Sequence, residues 1–443
     1  MLRIFLLIVL SLMSLAAQNK PNILVILSDD QGYADVSLNP LHPKEVNTPN
    51  IDALARSGAV MTQGYTTGHV CAPTRLGLMT GRYQQRYGTY SAGQCGSGIS
   101  PDNKLLPYYM QKQGYVTGAF GKWHLGLEMV HHPVNRGFTE FFGFMGRGAH
   151  DYFKLNDTKD PIYRGLKPIE EKGYLTTRLT EEAIKFIEDN KEKPWFCYLA
   201  YNAVHSPQQA PEEDIKRYNT GNKDRDILMA MLYHLDIGVG QVVETLKKNK
   251  IYENTIIVYL SDNGGSKAMS ASNAPFRSFK QFDYEGGVHV PFFVSWPSKI
   301  KANTKCDVPV FSMDVLPTVC KAAGIEIPES HKLDGKDFMP AIHGKTAKLR
   351  DYFCWNDAGG KWAIRSNDGW KIVGINGQTE LFNLNEDISE SNDLKDKYPE
   401  KYQELLKHYN KWLDELPEPV NGFKRWSPDQ TVAKKKKKKK KKK

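Results

Sequence analysis

Short apolar runs recur along the chain, and amphipathic stretches lie between them. The apolar runs have the length and the β-branched and aromatic content of buried strands. They are NILVILSDD (22–30), YVTGAFGKWHLG (115–126), WFCYLAYNAVHSP (195–207), NTIIVYLSDNGG (254–265) and VPFFVSWP (290–297). Strands that alternate with helices predict an α/β fold with a large, mostly parallel central sheet and helices on both of its faces.

Three of the intervening segments have the apolar spacing of helices. They are TPNIDALARSGA (48–59), LTTRLTEEAIKFIEDN (175–190) and DILMAMLYHLDIGVGQVVETLKKN (226–249). In the second segment, a Thr-x-x-Glu type of signal near Thr177 and Glu181 predicts a capped helix start. We expect these helices to cover the faces of the sheet.

The pattern changes from about residue 345. The segments DYFCWND (351–357), KWAIRSNDGWKIV (361–373) and TELFNLNED (379–387) have the pattern of short antiparallel strands joined by turns, and PEKYQELLKHYNKWLDEL (399–416) follows as a closing helix. This predicts a smaller α+β subdomain that contains an antiparallel sheet. We therefore divide the chain into a signal peptide (1–17), a large domain (18–344), a C-terminal subdomain (345–425) and a tail (426–443).

The N-terminus has the features of a secretory signal peptide. Arg3 precedes an apolar run from Ile4 to Leu15, and the small residues Ala16 and Ala17 follow. The run is too short for a comfortable membrane span, and no other stretch approaches the length of one. We therefore expect an exported protein, periplasmic or secreted, with no integral membrane segment after the signal is removed.

The formal net charge of +10 comes from the C-terminal tail. Its last ten residues, Lys434 to Lys443, account for the whole excess of 60 lysines and arginines over 50 aspartates and glutamates. The rest of the chain is neutral overall, which speaks against a nucleic-acid partner. The tail is either a self-repelling disordered appendage or a tether to polyanions such as sulfated glycans or an anionic membrane surface.

Six cysteines are scattered through the chain, with no Cys-x-x-Cys pair and no zinc-like spacing, at positions 71, 95, 197, 306, 320 and 354. Export permits a disulfide, and Cys306 and Cys320 are the closest pair in the sequence. With Cys71 set aside for chemistry, five cysteines remain, so at least one is unpaired.

Polar side chains capable of chemistry follow four of the predicted strands. They are Asp29 and Asp30, Lys122 and His124, His205, and Asp262 and Asn263. Any one of these groups has an ordinary structural explanation as a helix cap, a turn or a hydrogen-bonded histidine. In an open α/β sheet, however, ligands bind outside the carboxyl ends of the strands, so we expect these groups to meet at one edge.

The predicted cluster has the composition of a site for a hard metal ion and an anion. Three carboxylates and an amide oxygen suit Ca²⁺ or Mg²⁺, and the set lacks the histidine and cysteine that zinc prefers. Cationic side chains would surround the same point: Arg75, Lys122, His124, His205 and Lys280. A metal ion and several cations in one small space indicate a compact oxyanion substrate, a sulfate or phosphate ester.

The segment VCAPTRLGLMTGRY (70–83) places a cysteine at the predicted start of a helix. A helix N-terminus binds anions and lowers the pKa of a thiol, and Pro73 suits the first helical turn. Arg75 lies where it can turn back toward residue 71 and a substrate anion. A buried structural thiol and a thiolate nucleophile both remain open on these residues, although a thiolate is a poor partner for a hard cation.

Taken together, these motifs resemble the type I sulfatase family of the alkaline phosphatase superfamily, and the resemblance covers nearly the whole mature chain. Cys71-Ala72-Pro73-Thr74-Arg75 with the downstream Thr-Gly-Arg resembles the family's Cys-x-Pro-x-Arg signature. PNILVILSDDQGYAD, GAFGKWHLG, AVHSP, LSDNGG, FRSFKQFDYEGGVHVPFFVSWP and ELFNLNEDISESNDL resemble its other segments in the same order. The chain departs from the family at His289, where arginine is frequent, and at SFKQF around Lys280, where many members have GGKG.

The resemblance implies that Cys71 is oxidised to Cα-formylglycine by a formylglycine-generating or anaerobic sulfatase-maturing enzyme. It also implies a bound Ca²⁺, or Mg²⁺, held by Asp29, Asp30, Asp262, Asn263 and residue 71. A non-catalytic sulfoglycan-binding protein, in which Cys71 stays unmodified, is an alternative. A phosphate or phosphonate ester hydrolase of the same superfamily is another.

The implied reaction is hydrolysis of a sulfate ester. Hydrated formylglycine attacks sulfur with Asp262 as base, and His205 with Lys280 protonates the departing alcohol. His124 then deprotonates the second hydroxyl, which expels sulfate and regenerates the aldehyde. The remaining implied role is stabilisation of the sulfate oxygens by Arg75, Lys122 and Lys280.

The substrate is expected to be a sulfated polysaccharide or its oligosaccharides. The loop NRGFTEFFGFMGRGAHDYF (135–153) resembles the corresponding stretch of sulfatases that act on N-acetylgalactosamine or galactose sulfates. Arg147, His150 and Asp151 are candidates for contacts with sugar hydroxyls. The alternative for these three residues is that they only order the loop.

Overall fold

The computed structural model describes residues 20–422, except residues 147, 158 and 358. The predicted signal peptide and the lysine tail lie outside the described residues. The strands are β1 (Asn22–Ser28), β2 (Ala59–Met61), β3 (Gly64–Tyr65), β4 (Val116–Lys122), β5 (Glu140–Phe144), β6 (Ile162–Arg164), β7 (Lys167–Ile169), β8 (Trp195–Ala200), β9 (Thr255–Ser261), β10 (Phe292–Ser295), β11 (Thr304–Cys306), β12 (Val310–Phe311), β13 (Tyr352–Asn356), β14 (Lys361–Ser366), β15 (Trp370–Ile375) and β16 (Gln378–Asn383).

Ten of these strands form one large sheet in the order β11-β2-β10-β9-β1-β8-β4-β5-β6-β7. The centre of the sheet is parallel, since β1 pairs with β8 and β9, and β4 pairs with β8 and β5. Antiparallel strands flank this centre, β10 on one side and the β6–β7 hairpin on the other. The prediction of a large, mostly parallel sheet is confirmed.

The α-helices cover both faces of the large sheet and one face of the C-terminal part. They are α1 (Pro49–Arg56), α2 (Cys71–Thr80), α3 (Leu106–Lys112), α4 (Leu175–Asn190), α5 (Glu212–Ile215), α6 (Lys223–Lys248), α7 (Glu285–Val288), α8 (Val315–Ala322), α9 (Met339–Ile342) and α10 (Pro399–Asp414).

Strand β1 shows how the apolar pattern produces two cores. Ile23 and Val25 point into a core shared with α2, α3 and α8, whereas Leu24 and Ile26 point into a core shared with α1, α4 and α6. All of β1 is buried. A strand covered on both faces needs an uninterrupted apolar run, because successive side chains alternate between the faces.

The C-terminal part contains a four-stranded antiparallel sheet in the order β13-β14-β15-β16. On one face, Trp362 packs with Leu405 of α10, and on the other face Trp355 packs with Tyr65 of the large domain. The predicted antiparallel subdomain is therefore confirmed. Its inner face lies against β3 and β12, next to the segment that leads into α2.

One local expectation is wrong, and one question that the sequence left open is answered. Helix α4 begins at Leu175, and Tyr174 before it makes no side-chain capping bond. The threonine signal at 177 is not used because burial of Leu175 in the core extends the helix past it. Cys306 and Cys320 are free, buried thiols in the apolar core and form no disulfide.

Helix α6 is longer than the sequence pattern suggested. Among the residues that the structure describes, it is the one helix that is long and apolar enough, by length and composition, to cross a membrane. Its apolar side chains, including Leu228, Leu232 and Val239, are buried in the core beside α4 and the large sheet. This packing accounts for the apolar stretch as that of a core helix.

Candidate active site

The carboxyl ends of the central parallel strands bring the predicted polar groups to one edge. Asp29 and Asp30 directly follow β1, and Asp262 directly follows β9, whose last residue Ser261 pairs with Ser28. The Asp262 N–H donates to Ser28 O at 3.0 Å. Parallel pairing in register therefore places the two aspartate segments side by side.

Helix α2 carries Cys71 and Arg75 to the same edge. Cys71 is its first residue, and Val70 before it is extended and provides no side-chain cap, so the helix N-terminus is open for an anion. Arg75 follows one turn later on the same side of the helix. Its buried guanidinium donates to Asp262 Oδ2 at 2.9 Å, to Asp29 Oδ2 at 3.2 Å and to Lys122 O at 2.9 Å. Arg75 thus joins three strand ends to the Cys71 helix.

Two lysines complete the cationic set. Lys122 Nζ donates to Asp29 Oδ2 at 2.5 Å and to Gly148 O at 2.7 Å. Lys280 Nζ lies 2.7 Å from Asp30 Oδ1. Burial opposes the charge of Lys280, but the adjacent Asp30 carboxylate outweighs it and raises the lysine pKa, so this ammonium is charged at neutral pH.

The donor atoms of this cluster fit a hard metal ion. Among the described residues, Asp29 Oδ1 and Asn263 Oδ1 are buried without a hydrogen-bond partner. Ligand atoms of Asp29, Asp30 and His205 lie within 4.8 Å of one another. Burial, and after it the charge of Asp29, raises the pKa of Asp262 to about 6. A cation held by these oxygens would satisfy the unpaired acceptors and relieve the repulsion between the carboxylates.

Cys71 faces a histidine that can accept a proton. Its Sγ lies 3.3 Å from His124 Nδ1. Burial raises the pKa of the Cys71 thiol, so the lowering expected from the helix N-terminus does not prevail, and a thiolate nucleophile is disfavoured. Burial, and then the charge of Lys122, lowers the pKa of His124 well below its ordinary value. Its imidazole is therefore neutral at neutral pH and available as a base.

The second histidine lies on the solvent side of the cluster. His205 Nδ1 donates to Ser206 O at 2.8 Å, and Nε2 lies 3.7 Å from Asp30 Oδ2. Burial lowers its pKa. Its side chain is 12% exposed and that of Lys280 is 13% exposed, so these two groups border the opening toward solvent.

The loop before β6 provides a wall of the site. His150 Nδ1 and Nε2 lie 2.7 and 3.0 Å from the carbonyls of Asp151 and Asp160. The Asp151 carboxylate accepts from the N–H groups of Phe153 and Lys154 and from Gln209. Both residues thus order the loop, and their contact with a sugar stays a prediction. The third candidate, Arg147, lies outside the described residues.

The sequence pattern did not predict three buried residues near Cys71. His69 Nδ1 lies 2.6 Å from Asp283 Oδ1, and His69 Nε2 lies 3.5 Å from Asp357 Oδ2. The position of His69, two residues before the cysteine, is the one signal in the sequence that singles it out. Its carboxylate partners lie more than 200 residues away, so spacing alone does not reveal them.

Comparison with known proteins agrees with this arrangement. The Sulfatase family profile matches residues 21–325, and the profile of the N-sulphoglucosamine sulphohydrolase C-terminal region matches residues 276–418. The sulfatase YdeN of Escherichia coli K12 is 33% identical over 382 residues, which cover 74% of this chain and 67% of that protein. N-acetylgalactosamine-6-sulfatase of Mus musculus is 30% identical over 361 residues, with coverage of 75% and 68%.

A solved structure extends the similarity to the whole fold. Ps i-CgsB, crystallised in complex with k-i-k-neocarrahexaose, superimposes with a TM-score of 0.86 at 36% identity, and the match covers 91% of this chain and 95% of that one. The matched family profile spans well over half of the chain and includes every strand end described above. The chain belongs to the sulfatase family.

Proposed function

We propose that this sulfatase hydrolyses sulfate esters on a sulfated polysaccharide or its oligosaccharides, with formylglycine derived from Cys71 as the reactive group. The observation that carries the proposal is the convergence of the Cys71 helix, three buried carboxylates and three cations at one sheet edge. A sulfate ester is a compact anion, and this edge combines an open helix N-terminus with cationic donors around it.

The chain's own residues supply the proton transfers and the anion site. Formylglycine at position 71, as its hydrate, supplies a hydroxyl nucleophile and a way to release sulfate. His124, neutral and 3.3 Å from the Cys71 sulfur, is placed to take a proton from a group at that position. His205 and Lys280 border the opening, where a departing alcohol would be protonated. The charged groups that face the sulfate oxygens are Arg75, Lys122 and Lys280.

A divalent cation, Ca²⁺ or Mg²⁺, supplies charge neutralisation when it is bound. Asp29, Asp30, Asp262 and Asn263 would hold it, with residue 71 next to them. The two unpaired buried oxygens, Asp29 Oδ1 and Asn263 Oδ1, support this assignment. Asp262, with its raised pKa, would also serve as the base for the nucleophile.

The comparisons support a galactose or N-acetylgalactosamine sulfate as the substrate unit. One relative is an N-acetylgalactosamine-6-sulfatase, and the solved structure of Ps i-CgsB holds a carrageenan hexaose. We propose export to the periplasm or medium, where such polymers occur. We also propose residues 18–344 as the catalytic domain and 345–425 as a subdomain that completes it.

Sulfate release from a substrate panel tests the proposed function. The protein, co-produced with a formylglycine-generating enzyme, would be incubated with galactan, carrageenan, chondroitin and heparin oligosaccharides and, in parallel, with phosphate and phosphonate esters. Sulfate release from a galactose- or galactosamine-based oligosaccharide, lost in Cys71→Ala, is the expected result. Faster turnover of the phosphorus esters would favour the hydrolase alternative, and binding without turnover would favour a sulfoglycan-binding protein.

A further inference from the structure

We propose that His69, Asp283 and Asp357 form a clamp that positions Lys280 relative to Cys71 and makes the C-terminal sheet part of the active site. The clamp is defined by these three side chains. The inference rests on the proposed function in assigning Lys280 a role in catalysis. The clamp residues touch neither Lys280 Nζ nor the Cys71 sulfur, so they are positioning residues.

His69 holds the Lys280 loop, residues 277–286, at two points. Its imidazole binds Asp283 at 2.6 Å, and its backbone carbonyl accepts from the Gln281 N–H at 2.9 Å. Both contacts are made by residues that follow Lys280 directly in the loop. Because His69 precedes Cys71 by two residues, the same residue fixes the loop to the entry of helix α2.

The loop needs to be held because its backbone is strained. Ser278 and Gln281, on either side of Lys280, have φ of +71° and +76°. A left-handed conformation costs a residue other than glycine about 1–2 kcal/mol, and it persists only where the surroundings impose it. Without its contacts the loop would relax, and the Lys280 ammonium would leave its place 2.7 Å from Asp30.

The C-terminal sheet supplies the third side of the clamp. Asp357 lies in the turn after β13, where its Oδ1 accepts from the N–H groups of Gly359 and Lys361 at 2.8 Å. Its Oδ2 faces His69 Nε2. His69, Asp283 and Asp357 are 5%, 1% and 6% exposed, so water does not screen these charges. Asp357 is thus held in place by its own turn, and its carboxylate connects the C-terminal subdomain to the segment that precedes Cys71.

The C-terminal part of the chain also binds the Lys280 loop at both of its ends. Arg277 donates to Glu380 at 3.3 Å and to Glu390 O at 2.8 Å. Lys371 Nζ lies 2.8 Å from Glu285 Oε1 at the far end of the loop. Both ends of the Lys280 loop are therefore tied to the C-terminal sheet, and the clamp ties its middle.

The test uses His69→Gln and the milder Asp357→Asn, with His234→Gln as the matched control. His234 of α6 forms a similar pair with Asp214 of α5 at 2.8 Å, and neither of these helices carries a residue of the clamp or of the Lys280 loop. Formylglycine content is checked by mass spectrometry so that each rate refers to converted protein. We expect kcat to fall about 10- to 100-fold in His69→Gln with KM changed by less than about twofold, because a displaced group loses catalysis more than ground-state binding.

A double-mutant cycle with Lys280→Ala separates positioning from general structural damage. If His69 acts through Lys280, adding His69→Gln to Lys280→Ala lowers kcat by less than about twofold more. Fully additive losses would overturn the proposal.

Hydrogen exchange gives a readout that does not depend on sulfatase turnover. Amides of residues 277–286 should exchange faster in both clamp variants and at the wild-type rate in His234→Gln. Unchanged exchange in the clamp variants would overturn the proposal. Absence of sulfate release from the wild-type protein would instead contradict the proposed function. The exchange rates would then still show whether His69 and Asp357 hold the Lys280 loop.

Discussion

Two buried ion clusters of this protein differ in how completely their acceptor oxygens are paired. In the cluster formed by Lys371, Glu285 and Glu390, every carboxylate oxygen lies within 3.0 Å of a nitrogen or hydroxyl, including those of Tyr65 and His289. Glu390 Oε1 has no hydrogen bond of good geometry, but the Lys371 ammonium lies 3.0 Å from it. The cluster at the strand ends instead contains two buried oxygens with no partner among the described residues. It also presents an open helix N-terminus. A cluster that is complete in itself stabilises the fold, whereas an incomplete one has the atoms to bind a ligand.

The largest expected effect separates two buried cysteines. Cys71→Ala should abolish sulfate release, with kcat/KM lowered about 10⁴-fold or more, because it removes the precursor of the reactive group. Cys197→Ala is the matched control, since Cys197 is equally buried but lies inside β8. The measurement is the initial rate together with the thermal unfolding midpoint. Residual activity of Cys71→Ala within tenfold of wild type would contradict a catalytic role for residue 71.

A pair of lysine variants compares the two clusters directly. Lys371→Met should lower the free energy of unfolding by about 3–5 kcal/mol, because the buried Glu285 carboxylate loses its counter-ion and Glu390 loses the same partner. Lys280→Met should lower it less, by about 1.5–3 kcal/mol, since this lysine borders solvent and Asp30 keeps its bond from Asn263. Denaturant unfolding of both variants gives the comparison. Equal destabilisation by the two changes would remove the distinction between the clusters.

Removal of the metal should affect only the cluster at the strand ends. Chelation should lower the free energy of unfolding by about 3 kcal/mol when the metal had been present at a few hundred times its Kd. The loss should be larger at pH 8 than at pH 5, because Asp262, with a pKa of about 6, is ionised only at the higher pH and then adds to the repulsion. Calorimetry before and after chelation, with Ca²⁺ or Mg²⁺ added back, measures it. An unchanged unfolding midpoint would contradict the metal assignment.

The smallest expected effect is a pH dependence in the cluster of Lys371, Glu285 and Glu390. Burial raises the pKa of Glu390 from an ordinary 4.5 to about 7. The positive charge of Lys371 opposes this shift, and the negative charge of Glu285 adds to it. Between these pH values the folded protein keeps a proton that the unfolded chain has released, so stability falls as pH rises. Relative to Glu390→Gln, the wild type should lose on the order of 2 kcal/mol between pH 4.5 and 8. If the free energy of unfolding changes with pH by the same amount in the wild type and in Glu390→Gln, Glu390 does not titrate in this range.

Much of the fold follows from local pattern. The apolar runs of β1, β8 and β9 predicted buried parallel strands, because a strand that is covered on both faces needs apolar side chains at successive positions. The polar residues after those strands predicted the site because parallel strands end at one edge. The cysteine, proline and arginine after Val70 predicted the start of α2, where the structure has it.

What the pattern did not predict depends on contacts between distant segments. The pairing of Lys122 with Asp29 and of Lys280 with Asp30 follows from tertiary placement. Burial, which raises the pKa of the Cys71 thiol, is a property of the folded molecule and outweighed the local effect of the helix N-terminus. The contact of His69 with Asp357 spans 288 residues, as their numbers show, so no local motif contains it.

Sulfatase activity should depend on conversion of Cys71 to formylglycine. The most direct test of this dependence is the rate of sulfate release as a function of the formylglycine fraction at residue 71, measured by mass spectrometry on preparations made with increasing amounts of a maturing enzyme. The rate should rise in proportion to the formylglycine fraction, from zero at zero conversion. A preparation that keeps an intact thiol at residue 71 and still releases sulfate at the full rate would contradict it.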